Sequence, residues 1–310
     1  MPLDSQLHKF LSELTAAGAP EFNAMTVDAA RASLGDLVAL FPATQSIASS
    51  EDRVLEAGCV SARLYTPNGT GPFPVLLYIH GGGWVIGDLD SYDAICRELC
   101  GAVGCIVISV DYRLAPEHRF PAAADDAYSA LRWTIEHCEE IGGDPSRIAI
   151  GGDSAGGNLA AVTALEARQV FPGKLCAQLL VYPVTSYIAT PSQSMIDNAE
   201  GYLLTRRDMI WFTDHYLGPR HDGHDPRFNL SRVDDLSGLP PTLVITAEFD
   251  PLRDEGEAYA AALKKAGVAV DHSRYAGAIH GFFMFFSAFD VSRRSMSEAS
   301  DWLKAQFARV

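Results

Sequence analysis

The sequence has few basic residues and no long apolar run. Lysine and arginine total 24 against 39 aspartates and glutamates, which gives a formal net charge of −15. Because nucleic acid is bound through a basic face, this balance argues against nucleic acid as a partner. No apolar stretch approaches the length of a membrane span, so we expect no membrane-spanning segment. The first ten residues lack the basic start and apolar core of a signal peptide, and we therefore expect a cytoplasmic location.

Paired or metal-binding cysteine motifs are missing as well. The six cysteines have no CxxC spacing and sit inside apolar segments, a pattern typical of free, buried thiols in a reducing compartment. Residues 221–225, His-Asp-Gly-His-Asp, have the composition of a metal-ligand set. No predicted helix or strand frames them, so a solvated turn is the simpler interpretation. We expect no metal and no cofactor.

What the chain does have is a regular alternation of apolar strand-like and helical segments. Helices are predicted over residues 92–103 and 122–141 and from residue 156 onward. The predicted strands cover residues 53–57, 61–65, 75–79, 105–110, 147–151, 178–183, 242–247 and 268–272. This alternation predicts an α/β fold with a mostly parallel central sheet flanked by helices. In such a sheet the active residues lie beyond the carboxyl ends of the strands.

The alternation fails in two places. Residues 4–41 carry helical patterning before the first strand, and a helix near residues 205–217 interrupts the later β-α order. We predict a two-part helical cap, residues 1–45 and 186–236, over a core formed by residues 46–185 and 237–310. A packed N-terminal arm is the alternative interpretation of the first segment.

A glycine-rich loop follows the predicted strand at residues 75–79. Residues 80–84 read His-Gly-Gly-Gly-Trp, and without Cβ atoms several amides of this loop can turn toward a ligand. Free amides at the carboxyl end of a strand are suited to holding a developing negative charge. His80 itself is predicted to anchor the loop by hydrogen bonding.

A nucleophile is predicted at Ser154, within the Gly-Asp-Ser-Ala-Gly segment of residues 152–156. The flanking glycines allow a sharp strand-to-helix turn that exposes the serine hydroxyl above the sheet. The amides of Gly81, Gly82 and Ala155 are then the predicted oxyanion hole. Asp153 is predicted to tie the turn to neighbouring backbone.

A serine hydroxyl needs a base within hydrogen-bond reach. In folds with this turn the histidine comes last in the chain, after an acid. His280, in the predicted loop of residues 275–281, is the favoured base, because His272 lies within a predicted strand.

Three acids compete for the place after the strand at residues 242–247, namely Glu248, Asp250 and Asp254. Asp250 is favoured because it leaves the strand directly and is held by a following proline. Asp254 falls where a helix begins and is the better candidate for a cap. The favoured acid would hold the histidine tautomer and stabilise the imidazolium.

Aromatic residues near these motifs are candidates for the substrate pocket. Trp84 and Phe282 are predicted to contact the substrate, although core packing is the alternative for both. Glu117, in a Pro-Glu turn, is predicted to pin loops together.

Four motifs in this order resemble the hormone-sensitive-lipase group of bacterial carboxylesterases. They lie at residues 80–84, 111–117, 152–157 and 250–255. The resemblance runs from about residue 64 to the C-terminus. It implies an α/β-hydrolase fold with a helical cap, and hydrolysis of short- to medium-chain acyl esters through an acyl-serine. It also implies frequent homodimers.

Two other functions share parts of this pattern. A non-catalytic small-molecule receptor on the same scaffold would keep the pocket and lose a residue of the triad, and the presence of both Ser154 and His280 argues against it. An amidase or peptidase would use the same triad, and the sequence leaves that alternative open.

Overall fold

The computed structural model describes residues 2–55, 60–187, 191–219 and 223–310. Residues 56 and 57 of the strand predicted at residues 53–57, and part of the 221–225 segment, lie outside these ranges. The strands are β1 Ser49–Leu55, β2 Val60–Thr66, β3 Phe73–Ile79, β4 Ile106–Asp111, β5 Gly143–Asp153, β6 Leu175–Val181, β7 Thr242–Phe249 and β8 Val270–Ile279. The helices are α1 Ser5–Ala16, α2 Val27–Val38, α3 Asp93–Val103, α4 Ala122–Glu136, α5 Ala155–Val170, α6 Gln193–Asp197, α7 Arg206–Leu217, α8 Arg253–Lys265 and α9 Asp290–Phe307.

These strands form one sheet in the order β1-β2-β4-β3-β5-β6-β7-β8. The pairs β1–β2 and β2–β4 are antiparallel, and every later pair is parallel. The prediction of a mostly parallel sheet with flanking helices is confirmed. Residues 75–79 of β3 are completely buried, as expected for a central strand covered on both faces.

The parallel strands bring three distant parts of the chain to one edge of the sheet. β5 ends at Asp153, β7 at Phe249 and β8 at Ile279. Each of the predicted residues Ser154, Asp250 and His280 is therefore the first residue after a strand. Since β5, β6, β7 and β8 are consecutive parallel neighbours, their carboxyl ends lie side by side.

Predicted and observed element boundaries differ most in two places. The helix predicted over residues 122–141 ends at Glu136, because His137 leaves helical geometry with φ −112° and ψ 13°. Residues 275–279, predicted as a loop, are the last part of β8. They pair with β7, with Tyr275 opposite Ala247, and this pairing supplies hydrogen bonds that the glycine-containing sequence did not suggest.

Outside the sheet, the two irregular segments form helices as predicted. α1 and α2 precede β1, and α7 lies in the segment between β6 and β7 together with the short helix α6, which was not predicted. Thr205 and Asp208 form a capping box at the start of α7, which satisfies amides that the first turn leaves without a partner. Among the described residues, no helix has the length and apolar character needed to cross a membrane.

Candidate active site

Ser154 lies in a strained turn between β5 and α5. Its backbone has φ 55° and ψ −119°, a region that residues with a side chain rarely adopt. A Cβ at Gly156 would overlap the carbonyl oxygen of Ile79, and a Cβ at Gly152 would lie 2.5 Å from backbone atoms of Gly156. The glycines at both positions are therefore required for the close approach of the turn to β3.

The Ser154 hydroxyl, the His280 imidazole and the Asp250 carboxylate meet in a continuous row. Ser154 Oγ lies 3.0 Å from His280 Nε2, and His280 Nδ1 lies 2.7 Å from Asp250 Oδ2. With the proton on Nδ1, the imidazole donates to Asp250 and its Nε2 accepts from the serine hydroxyl. Asp250 is completely buried, while Ser154 and His280 each retain 8% exposure. His280 can therefore accept the Ser154 proton while the Asp250 carboxylate stays shielded from bulk water.

The other two candidate acids bind elsewhere. Glu248 accepts the Gly277 amide at 2.8 Å. Asp254, in the first turn of α8, accepts the Ser194 amide at 2.7 Å. Neither side chain contacts His280, so the structure pairs the histidine with Asp250.

Among the described residues, the candidate oxyanion amides of the glycine loop and of Ala155 differ in whether they already have an acceptor. The Gly81 amide donates to Asp153 Oδ1 at 3.2 Å. Within the described part of the chain, the amides of Gly82, Gly83 and Ala155 donate to no protein acceptor. Gly81 was predicted as an oxyanion donor, but its hydrogen is already used. Gly83 replaces it as the candidate, because Gly82 and Gly83 both line the cavity at Ser154.

His80 supports this loop from below. Its ring stacks on Tyr112 with centroids 4.2 Å apart, and its Nδ1 lies 2.7 Å from the Gly81 carbonyl oxygen. Burial lowers the pKa of His80 to about 4, so the ring is neutral at pH 7. The contacts agree with the anchoring role predicted for His80.

The cavity at Ser154 is small and mostly apolar. Its volume is about 70 Å³, less than half of an engineered cavity of about 150 Å³ that accepts benzene. It is lined by Phe22, Leu34, Leu37, Gly82, Gly83, Ile86, Tyr92, Asp153, Ser154, Tyr182, Leu203, Leu204, Phe212, His280, Gly281, Met284 and Phe285. Such a cavity suits a small apolar group better than a long one.

Trp84 and Phe282, predicted to contact the substrate, do not line this cavity. Trp84 is completely buried and stacks on Tyr216 with centroids 4.5 Å apart and ring planes 4° apart. Phe282 is also completely buried and packs against Tyr182 and Tyr275. The structure places both in the core, which was the alternative interpretation of each.

The N-terminal segment is held against the glycine loop by Arg31 on α2. The guanidinium donates to the carbonyl oxygen of Val85 at 2.9 Å and to that of Ala115 at 3.1 Å. It also forms a two-pronged pair with Glu117 at 2.9 and 2.8 Å. Glu117 thus pins segments together as predicted, and its partner is Arg31 on helix α2.

A second contact joins the N-terminal segment to the insertion. Asp208 Oδ1 accepts the Asn23 amide at 2.8 Å and the Asn23 side chain at 2.9 Å. Beside this contact the rings of Phe22 and Phe212 lie 5.7 Å apart, and both line the cavity. The two irregular segments therefore meet across one side of the site.

Comparison with known proteins decides the family. A family model described as alpha/beta hydrolase fold matches residues 76–284. The chain belongs to this alpha/beta hydrolase family. The resemblance to the hormone-sensitive-lipase group, inferred from four motifs, is thereby confirmed.

The chain has close relatives in sequence and in structure. It is 47% identical over 262 residues to the carboxylic ester hydrolase LipN of Mycobacterium tuberculosis, a match that covers 82% of this chain and 69% of that protein. It is 37% identical over 285 residues to an arylesterase of Saccharolobus solfataricus, with 91% and 92% covered. A hyperthermophilic esterase from Pyrobaculum calidifontis superposes with a TM-score of 0.93 at 40% identity, covering 98% of this chain and 99% of that one.

Several cavity residues were missed from sequence. Leu34 and Leu37 on α2 and Phe212 on α7 belong to apolar helix faces, and such faces look the same whether they cover a core or a cavity. Gly83 stood in the recognised glycine run, so its signal was present. Tyr182, whose ring centroid lies 4.5 Å from that of His280, directly follows β6, but the sequence prediction placed it inside the strand at residues 178–183.

No group of three or more histidine, cysteine or acidic side chains in the described ranges could hold a metal ion. His221 and Asp222, part of the segment that resembled a ligand set, lie outside those ranges. The five cysteines within the described ranges are free thiols. Cys59 lies outside these ranges.

Proposed function

We propose that the chain is a serine carboxylesterase that hydrolyses short- to medium-chain acyl esters through an acyl-serine intermediate. The broader assignment, a carboxylic ester hydrolase, follows from the family and from relatives named carboxylic ester hydrolase, carboxylesterase and arylesterase. The observation that carries the finer proposal is the row of contacts from Ser154 through His280 to Asp250, beside a small apolar cavity.

In the proposed reaction, Ser154 Oγ attacks the ester carbonyl carbon while His280 Nε2 accepts the hydroxyl proton. The carbonyl oxygen becomes an oxyanion, which the amides of Gly82, Gly83 and Ala155 stabilise. The alcohol leaves with the proton from His280, and the acyl group stays on Ser154. A water molecule then gives a proton to the same nitrogen and attacks the acyl carbon. The bond between Ser154 Oγ and the acyl carbon breaks, Oγ takes the proton back from His280, and the carboxylic acid is released. Throughout, Asp250 accepts the Nδ1 hydrogen and stabilises the imidazolium.

The cavity supports a preference for the short end of the acyl range. A volume of about 70 Å³ leaves room for an acetyl or propionyl chain, and a longer chain requires its walls to move. A series of p-nitrophenyl esters from acetate to decanoate tests this point. We expect kcat/KM to be highest for acyl chains of about four carbons or fewer, because a chain that extends past the cavity wall buries no further apolar surface there.

Replacement of the nucleophile tests the mechanism. Ser154→Ala should lower kcat with p-nitrophenyl acetate by roughly 10⁴- to 10⁶-fold. Ser12→Ala, on the exposed face of α1, is the control and should leave the rate unchanged. Full activity in Ser154→Ala would end the proposal. Matched amide substrates assayed beside the esters test the amidase or peptidase alternative, and absence of turnover with every ester would leave the receptor interpretation.

The acid side of the pH profile gives a second test. A protonated imidazole cannot accept the Ser154 proton, so we expect kcat/KM to fall as the pH is lowered. The measurement is a pH–rate profile with a neutral ester substrate. A rate that stays constant as the buffer becomes acidic would contradict the role of His280.

The division into core and cap is also proposed here. Residues 1–45 and 186–236 supply Phe22, Leu34, Leu203 and Phe212 to the cavity wall, which supports a cap over a core of residues 46–185 and 237–310. A homodimer and a cytoplasmic location stay predictions from the sequence.

A further inference from the structure

The carboxylate of Asp153, directly before the nucleophile, has no part in the reaction described above. It is 2% exposed and lies at the wall of the cavity. A buried carboxylate is costly unless donors surround it, and three donors do. Tyr78 donates its hydroxyl to Oδ1 at 3.0 Å, Tyr92 donates its hydroxyl to Oδ2 at 3.0 Å, and the Gly81 amide donates to Oδ1 at 3.2 Å.

The bond to Gly81 connects the two halves of the oxyanion site. Asp153 belongs to the strand that delivers Ser154, and Gly81 belongs to the loop that delivers the free amides of Gly82 and Gly83. The packing between them is close, because a Cβ on Gly81 would lie 2.5 Å from Asp153 Oδ2 and 2.8 Å from the Tyr92 hydroxyl oxygen. The carboxylate therefore fixes the loop one residue before the first free amide.

We propose that Asp153 is a positioning residue for the oxyanion hole: by accepting the Gly81 amide, it sets the direction in which the amides of Gly82 and Gly83 reach the ester oxygen. The inference rests on the proposed function, since it concerns the same reaction. Burial raises the pKa of Asp153 to about 6. At pH 8 the group is therefore an acceptor for all three donors, which agrees with the contacts.

The charge of Asp153 is not needed for this role, but its acceptor oxygen is. An asparagine can keep Oδ1 as the acceptor for Gly81 and Tyr78, while its amide nitrogen faces the Tyr92 hydroxyl, which can accept as well as donate. An alanine removes every acceptor and leaves the Gly81 amide unpaired. The two substitutions therefore separate the acceptor from the charge.

The experiment measures kcat, KM and the affinity for a trifluoromethyl ketone, which forms a tetrahedral adduct with an active serine. Rates are divided by the active sites counted with a chromogenic phosphonate at completion, so that inactive protein does not contribute. In Asp153→Ala we expect kcat to fall by roughly 10- to 1000-fold, up to the loss caused by deleting one oxyanion donor. KM for the short ester should change by less than about threefold, because the apolar walls remain.

The ketone should lose affinity by about the same factor as kcat/KM, since both depend on the oxyanion donors. Asp153→Asn should restore most of the rate. Tyr78→Phe is the matched control. It removes one buried hydrogen bond from the same Oδ1 and leaves Gly81 paired, so its melting temperature should fall while kcat changes by less than about threefold.

Three results would overturn the inference: normal kcat in folded Asp153→Ala, an unchanged ketone affinity in that variant, or an Asn variant as slow as the Ala variant. If Asp153→Ala does not fold, Asp153→Ser carries the same prediction, because its hydroxyl is too short to reach the Gly81 amide. Ser154→Ala keeps the two proposals apart. An inactive Ser154→Ala beside a fully active Asp153→Ala would reject the positioning role alone, whereas activity in both would reject the proposed mechanism.

Discussion

Shortening Leu34 should lengthen the acyl chain that the enzyme accepts. Leu34 lies on α2, is 6% exposed and lines the cavity at Ser154. Leu34→Ala deletes the end of the side chain and leaves new apolar space continuous with a cavity of about 70 Å³. A longer acyl chain can fill this space, whereas acetate leaves it empty.

The size of the effect follows from the apolar surface that the longer chain buries. Burial of one methylene is worth about 0.8 kcal/mol, which is about fourfold in rate because about 1.36 kcal/mol corresponds to tenfold. Hexanoate has two more methylenes than butyrate. The ratio of kcat/KM for hexanoate over butyrate should therefore rise in Leu34→Ala by at most roughly 15-fold.

The assay compares p-nitrophenyl butyrate and hexanoate in the native protein, in Leu34→Ala and in Leu40→Ala. Leu40 follows the end of α2 and is 66% exposed, so its replacement should change neither the ratio nor the stability. Leu34→Ala should lower the free energy of unfolding by about 2 kcal/mol, the low end for such changes because the site borders a cavity. A ratio within twofold of the native value in folded Leu34→Ala would refute the assignment of α2 as an acyl wall.

Three further predictions concern the surroundings of the site. Burial raises the pKa of Glu255 to about 7, above its unfolded value, so ionisation of this acid lowers the stability of the fold as the pH rises from about 4.5 to 7. The difference in melting temperature between Glu255→Gln and the native protein should therefore be more positive at pH 8 than at pH 5. A difference that does not depend on pH would contradict this. Arg31→Ala should raise KM for short esters by roughly 3- to 30-fold with a smaller change in kcat, because charge-assisted hydrogen bonds to two backbone carbonyls and to Glu117 hold α2 in place. An unchanged KM in steady-state kinetics would reject this role for Arg31. Trp84→Ala should destabilise the fold by about 3–5 kcal/mol through lost core packing, measured by denaturant unfolding, and a stable variant with altered substrate preference would return Trp84 to the substrate pocket.

Much of the site could be predicted because its residues follow strand ends. Ser154, Asp250 and His280 each come directly after a strand of the parallel part of the sheet. The sequence already placed all three after predicted strands, although it ended the last strand at residue 272. The glycine loop is recognisable because it also follows a predicted strand. The close approach of the turn at Ser154 to β3 requires glycines, and these are visible in the sequence at residues 152 and 156. These signals are local, since each depends on a few consecutive residues.

Two residues of the predicted site have partners that the sequence did not suggest. The Gly81 amide was predicted to face the substrate, but it binds Asp153, 72 residues away in the chain. Trp84 was predicted at the pocket, but its ring lies against Tyr216 on α7. Each of these partners is chosen by packing between segments that are distant in sequence, and hydrophobic character alone does not say which apolar neighbour a ring will find.

The amino-acid sequence by itself determined the alternation of strands and helices, the order of the motifs and the identity of the three residues that meet at the sheet edge, because short-range backbone preferences and burial patterns are written in neighbouring residues. Only the tertiary structure decided which amides remain free beside Ser154, which helices wall the cavity, and that Arg31 and Asp208 fasten the N-terminal segment. Those outcomes depend on side chains meeting across the fold. Such contacts form only after the sheet has placed the segments beside one another.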